Sequence, residues 1–341
     1  MNNTIYCEVG FLRKFVSVFL NAQDNMEQFH SWYELYKYIY YSHIFIDKSP
    51  NVLIDELRKD KRLLKFCKFG SITSMANYPD FNSSDKPKFD RQMKNSVFFS
   101  LASKEQRMKY SSLYGVLILG IDDVFNFSTL FRDKHFPISK DQKISWAHLI
   151  PSLFKVSNSL IVADNYLLKD EKVIKENLIN ILDQILPEQL PYRYSIVIFT
   201  FELNNQGEKR YNFLKQEISK IRSKLDFGLT IYKINKDDVH DRNIVTNNTY
   251  MECGGGFDLI KNGKSSKTTN LRTAYPFLIP EISKNTYRDS YLNFISTILG
   301  IEKRSHRLNF DFWGEENHNN EENRLADYYR QYIDKFRNSN R

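Results

Sequence analysis

Tyr194-Ser195-Ile196-Val197-Ile198-Phe199-Thr200-Phe201 is almost wholly apolar, the composition of a strand covered on both faces. Upstream, Leu160-Ile161-Val162-Ala163 reads as a second buried strand leading into Asp164-Asn165-Tyr166. Between them, Glu171 to Leu186 carries Val173, Ile174, Leu178, Ile181, Leu182 and Ile185 on one helical face, and Pro187 ends it. Downstream, Asn204-Asn205-Gln206-Gly207 makes a turn, and a helix follows with Tyr211, Leu214, Ile218, Ile221 and Leu225 in register. Gly228 introduces a third strand, Leu229 to Ile234. The sum is β-α-β-α-β, which predicts a mainly parallel or mixed sheet joined by right-handed crossovers, with helices on its faces.

The 341 residues exceed one average domain, so the expected division is an N-terminal α/β domain over 1–145, a second domain over 146–300, and a polar linker with a C-terminal helix over 301–341. A hydrophobic fraction of 41% with 26 Phe and 21 Tyr supplies a packed core and excludes a disordered chain. The formal charge of +8 fits a polyanionic partner, although scattered lysines also serve solubility. Cys7, Cys67 and Cys253 form no CxxC pair, which suits a reducing cytoplasm and argues against a zinc site. The longest apolar run, Gly115 to Ile121, is too short for a transmembrane segment. Phe11 to Leu20 is interrupted by Arg13-Lys14 and reads as an amphipathic element, not a signal peptide.

In the first domain, Ser42 to Ile46, Val97 to Leu101 and Val116 to Ile121 read as strands, Asn51 to Phe69 as a helix stopped by Gly70, and Asn77 to Lys88 as a surface loop. Asp47, Asp122 and Asp123 stand at strand ends, where a magnesium-dependent nuclease would place convergent carboxylates, and where turns and N-caps also use aspartate. Past the third strand of the second domain, Ile244-Val245 begins another strand and Lys261 to Lys267 forms a polar loop. Tyr287 to Leu299, capped by Gly300, and Glu321 to Arg337 read as amphipathic helices, with Trp313 to Asn323 loop-like. The aromatic stripe of the last helix docks either on this chain or on a second copy.

The densest site-like chemistry lies in Val239-His240-Asp241-Arg242-Asn243-Ile244-Val245-Thr246-Asn247-Asn248, followed by Gly254-Gly255-Gly256-Phe257-Asp258. This places a histidine and a guanidinium just beyond the carboxyl end of a strand, a usual location for a site in open α/β sheets. Read singly, the histidine satisfies a strand end, the arginine meets a surface carboxylate, and the glycines permit a tight turn.

The order of elements together with these residues resembles the phospholipase D superfamily over about residues 150–300. Its half-domain runs strand, helix, strand, helix, strand and then His-x-Lys, with an acidic residue seven positions after the histidine and a glycine-rich turn beyond. Here His240 takes the histidine position, Arg242 the lysine position, Asn247 the acidic position, and the turn starts at Gly254. The resemblance implies a phosphodiester-directed site with His240 as nucleophile. Its phosphate-binding set is Arg242, Asn247, Asn248, Lys264 and Lys267, and no cofactor or metal is involved. Arg242 suits phosphate through bidentate hydrogen bonds. Asn247 accepts a hydrogen bond from imidazole but lends the imidazolium no charge. No second His-x-Lys or His-x-Arg occurs, so a catalytic site of this type requires a homodimer.

The resulting expectation is a cytoplasmic nucleic-acid-binding or nuclease-like protein. The Lys-, Asn-, Tyr- and Phe-rich composition of AT-rich genomes extends this, by analogy, to an antiviral defence effector of bacteria. The alternative is a non-catalytic interaction module that docks a protein partner or an anionic membrane surface. Activity abolished by EDTA would move the chemistry to Asp47 and Asp122.

Overall fold

The computed structural model describes residues 3–21, 33, 35–36, 39–40, 42–66, 72–75, 77–82, 97–124, 133–201, 203, 206–235, 242–275, 297, 300 and 312–314. The chain is α/β and divides into two compact units. One comprises residues 1–112, 116–132 and 277–285, the other residues 113–115, 133–276 and 286–341.

The first unit holds a five-stranded, wholly parallel sheet in the order β3-β2-β1-β4-β5, made by β1 (Asn3–Cys7), β2 (Ser42–Ile46), β3 (Ile72–Ser74), β4 (Val97–Phe99) and β5 (Leu117–Leu119). The direction of winding reverses between β1 and β4. One face meets α1 (Val9–Asn21) through Phe11, Phe15 and Val16, with Phe11 lying 5.1 Å from Phe99. The other carries a cross-strand ladder in which Tyr6 stacks between Phe45 and Phe98 at 5.2 and 4.8 Å. Such offset aromatic pairs add stabilisation beyond their buried area. The expected helix from Asn51 is two helices, α2 (Pro50–Lys59) and α3 (Lys61–Phe66). They are broken at Asp60, whose backbone is extended (φ −127°, ψ 92°) and whose carboxylate accepts from the Arg62 amide at 3.0 Å. Gly70 lies outside the described residues. Two further helices of this unit are α4 (Lys104–Tyr114) and the short α5 (Ile121–Val124).

The second unit is built on an eight-stranded mixed sheet in the order β15-β9-β8-β7-β10-β11-β14-β6. Its parallel centre is β7 (Ser159–Ala163), β8 (Tyr194–Thr200) and β9 (Phe227–Lys233). Antiparallel strands extend it: β10 (Asn243–Thr246), β11 (Tyr250–Cys253) and β14 (Thr269–Ala274). The edges are β6 (Lys134–Ile138) and β15 (Phe312–Gly314). Two of these strands differ from expectation: β6 comes from residues assigned above to the first domain, and Trp313 lies in a strand instead of a loop. The segment after the glycine turn is a small hairpin, β12 (Ile260–Lys261) with β13 (Lys264–Ser265).

Helices cover one face of this sheet among the described residues. The short α6 (Trp146–Leu149) precedes β7, and the β7–β8 crossover, α7, is α-helical over Glu171–Val173, a π-helix over Ile174–Ile179, and α-helical again over Asn180–Ile185. The next crossover is α8 (Gly207–Ile221). Ile174, Leu178, Leu182, Ile185, Leu214 and Ile218 pack on alternate strand residues such as Leu160, Val162, Ile196, Ile198, Leu229 and Ile231. Burying each such side chain contributes about 1.5–3 kcal/mol. The π stretch sets Asn177 inside the core, where its Oδ1 accepts from the Ile260 amide at 2.8 Å and the Trp146 indole at 3.3 Å, and its Nδ2 donates to the Ile260 carbonyl at 3.0 Å. No helix among the described residues is long and apolar enough to cross a membrane. The helices expected at Tyr287 to Leu299 and Glu321 to Arg337 fall outside the described residues, apart from residue 297.

Candidate functional site

The carboxyl ends of β7, β8 and β9 and the start of β10 share one edge of the second sheet. Asp164, the residue after β7, is 1% exposed. Its Oδ1 accepts from the amides of Tyr166 (2.7 Å) and Leu167 (3.0 Å), and its Oδ2 from the amide of Phe257 (2.7 Å). One carboxylate thus ties the end of β7 to the turn after β11. Burial pushes this carboxyl above its usual range; the Phe257 and Tyr166 amides pull it down, Asp258 pushes it up and Arg242 pulls it down.

The triple glycine allows this closeness. Gly256 adopts φ +90°, and a β-carbon there would lie 3.0 Å from Asp258 Oδ1 and 3.2 Å from Asp164 Oδ2, with Arg242 Cγ at 3.8 Å. Gly255 donates to Thr269 Oγ1 at 2.7 Å, and Cys253 Sγ donates to the Gly256 carbonyl at 3.1 Å. Lys267 places its ammonium on Asp258 Oδ1 at 2.6 Å and on the Gly255 carbonyl. Asp164, Arg242, Asp258 and Lys267 therefore converge around one glycine.

Within this cluster the charges are unevenly satisfied. The Asp164 oxygens are filled by backbone donors, and Asp258 is paired with Lys267. Arg242 donates once, to the Gly254 carbonyl at 3.4 Å, and its Nε is buried without a partner. A guanidinium has five N–H donors, so Arg242 keeps most of its capacity. Next to it, Asn243 is fully buried and neither atom of its carboxamide has a partner. A buried polar group left in this state costs about 1–3 kcal/mol.

The sequence-expected set does not assemble as one site. Arg242 and Lys267 lie in the cluster, but Lys267 is neutralised there by Asp258. Lys264 is exposed on the β12–β13 hairpin, opposite Lys261. His240 lies outside the described residues. Asn247 and Asn248 follow β10 at its other end. Asn247 is 1% exposed, accepts from the Asn158 amide at 2.8 Å and donates to the Gly115 carbonyl at 2.9 Å. Asn248 donates to the Val156 carbonyl at 2.7 Å. Both carboxamides hold backbone together. Five residues of extended chain separate Arg242 from Asn247 by about 16 Å, too far to share a phosphate. Neither Asp164, which stands after an apolar strand, nor Asp258, which ends the glycine-rich stretch, belongs to the sequence-expected set.

The first unit's acidic residues are also engaged. Asp47 accepts from the Val9 amide at 2.8 Å, capping α1. Asp122 and Asp123 both meet the buried Arg107, which donates in addition to the Ala102 carbonyl at 2.6 Å. Glu8, at the end of β1, accepts from Ser100 Oγ and from the Leu101 amide, and burial raises its pKa. No group of three or more His, Cys, Asp or Glu suited to a metal ion occurs among the described residues.

No protein-family model matches the chain, and no curated protein is similar to it.

Proposed function

We propose that the second unit binds the phosphodiester backbone of nucleic acid, with Arg242 as the group that meets the phosphate. The observation that carries this reading is the spare capacity of Arg242: one long hydrogen bond, a partnerless buried Nε, and neighbours whose charges are already matched. Phosphate oxygens complement that planar fork through paired charge-assisted bonds. The positive charge of the chain favours approach of a polyanion. The resemblance to the phospholipase D superfamily points to the same ligand class.

Asn247 favours a binding module over a nuclease. The position that would hold an imidazole-orienting acid is spent on Asn158 and Gly115. Turnover by His240 would need both a second copy of the chain and another orienting group.

The test is fluorescence anisotropy with labelled DNA and RNA, without metal, over a salt series. Binding should weaken steeply with salt, and Arg242→Ala should lose about 1.5–3 kcal/mol, or roughly 10- to 150-fold in affinity. Binding that ignores both salt and Arg242 would reject the reading. Cleavage that His240→Ala abolishes would restore the catalytic form.

A further inference from the structure

A cavity of about 240 Å³ lies in the second unit and shares no residue with the cluster around Gly256. Its walls come from α6 and the residues just before it, from α7, and from the β12–β13 hairpin. Ile144, Trp146 and Ile260 supply apolar surface. The π stretch of α7 ties these walls together, because Asn177 bonds both the Trp146 indole and the backbone of Ile260. Single π turns within α-helices are frequent at functional sites. Ala147 and Asn180, also in the lining, are exposed, so solvent reaches the cavity. The volume is below the roughly 300–1,000 Å³ of a pocket for a drug-sized molecule, so it suits a group the size of one side chain.

The side chains of the lining have more capacity to accept hydrogen bonds than to donate them. Glu176 is the charged residue among them, and no lysine or arginine lines the cavity. Its carboxylate makes one ion pair, long at 3.8 Å, with the exposed Lys172. Asn180 donates its Nδ2 to the carbonyls of Lys175 and Glu176, at 3.1 and 3.0 Å, and Gln184 donates to Asp183 at 3.2 Å. The carboxamide oxygens of both are left over. The Trp146 N–H is already given to Asn177. Glu176, Asn180 and Gln184 recur every four residues along α7 and line the same cavity. A carboxylate and two carboxamide oxygens beside apolar surface complement a cation that donates several hydrogen bonds and carries a short hydrocarbon stem. We propose that this cavity binds such a group, an alkylguanidinium or alkylammonium. The proposal is independent of the phosphate-binding reading of Arg242.

Saturation-transfer NMR on the full chain at neutral pH compares butylguanidinium, butylammonium, the uncharged butylurea and the anion pentanoate. Both cations should bind at millimolar concentration, the range open to so small a ligand. Butylurea and pentanoate should bind about 10-fold more weakly, or less well still. Glu176→Gln should weaken the cations about 10-fold, to the level of butylurea, with the thermal melt unchanged. Ala147→Phe, which adds bulk to the lining from an exposed position, should abolish binding of both cations. A capped Gly-Arg-Gly peptide bound more tightly than butylguanidinium would assign the cation to the side chain of a partner, and one bound more weakly would assign it to a free small molecule. Butylurea or pentanoate bound as tightly as the cations would overturn the proposal, with pentanoate pointing to the exposed Lys261 and Lys264 of the hairpin instead. Cation binding that survives both substitutions would overturn it too, as would no binding of either cation.

Discussion

Restoring the acidic residue that the phospholipase D pattern places at position 247 should damage the protein and create no activity. Asn247 is 1% exposed, and both ends of its carboxamide are used: Oδ1 accepts from the Asn158 amide, and Nδ2 donates to the Gly115 carbonyl. In Asn247→Asp the first bond survives and the second becomes a carboxylate oxygen facing a carbonyl oxygen. Gly115 also receives the Asn158 carboxamide at 3.3 Å, and its φ of +59°, with Ser157 and Asn158 packed against it, leaves little room to turn the carbonyl away. A lost buried hydrogen bond costs about 1–3 kcal/mol, and burying an unpaired carboxylate adds a similar amount or more. The expected loss at pH 7 is about 3–5 kcal/mol, a large part of the ~5–15 kcal/mol that holds a domain together. Protonation lets the introduced carboxyl donate to Gly115 again. Its folded-state pKa is therefore raised above the unfolded value of about 3.9. The missing stability is regained as pH falls through the folded pKa, and the deficit is complete above it. Urea denaturation of wild type and variant at pH 7 and pH 5 reads both effects. A variant as stable as wild type at pH 7, or a deficit that grows toward pH 5, would refute the reasoning; so would a new phosphodiesterase activity dependent on His240.

Other perturbations probe the remaining contacts. Gly256→Ala should cost about 1–3 kcal/mol, because φ +90° strains an L side chain and the Asp258 and Asp164 oxygens, 3.0 and 3.2 Å from the added β-carbon, would have to shift; a thermal melt shifted by less than a degree would contradict this. Asp164→Asn removes a carboxyl whose folded pKa is raised, a contribution present below the unfolded pKa of about 3.9 and lost as pH rises through the folded value. The wild type should accordingly show a fall in unfolding free energy over that window that the variant lacks, and parallel pH profiles would argue otherwise. Asn177→Leu deletes the bonds to Ile260 and Trp146 and should cost about 2–4 kcal/mol, with the environment of Trp146 reported by its fluorescence.

What could be read in advance follows from how each element earns its burial. β7, β8 and β9 are covered on both faces, so they appear as unbroken apolar runs, and the helices between them keep a regular period. β6 was not legible because it is an edge strand: Lys134, His135 and Pro137 are exposed and only Ile138 is buried, which leaves no alternation to recognise. β1 is short and begins with Asn3-Thr4, although it is the centre of the first sheet. The π stretch in α7 shifts the helical phase without changing which residue types are apolar. The site was legible in part. Arg242 and the glycine turn sit where the order of strands puts them, but spacing alone suggested that Asn247 shares their site. On an extended strand five residues carry a side chain away from its partner, whereas on a helix four would bring it back. Asp164 stands visibly at the end of an apolar strand, but its role lies in three backbone amides, which no side-chain pattern encodes.

The order of the first sheet also sets a timetable for its formation. β1 is the first strand made and the central one, flanked by β2 at residues 42–46 and β4 at residues 97–99. During synthesis at about 5–20 residues per second, both flanking strands are out only some 5–20 s after β1. Over that interval Ile5, Tyr6 and Cys7, buried in the finished sheet, have no permanent cover. Long-range parallel pairing is slow for the same reason of loop closure, so the first sheet cannot complete the cover of β1 until β4 has emerged, whereas the centre of the second sheet can assemble on β7, β8 and β9 in the order in which they are made.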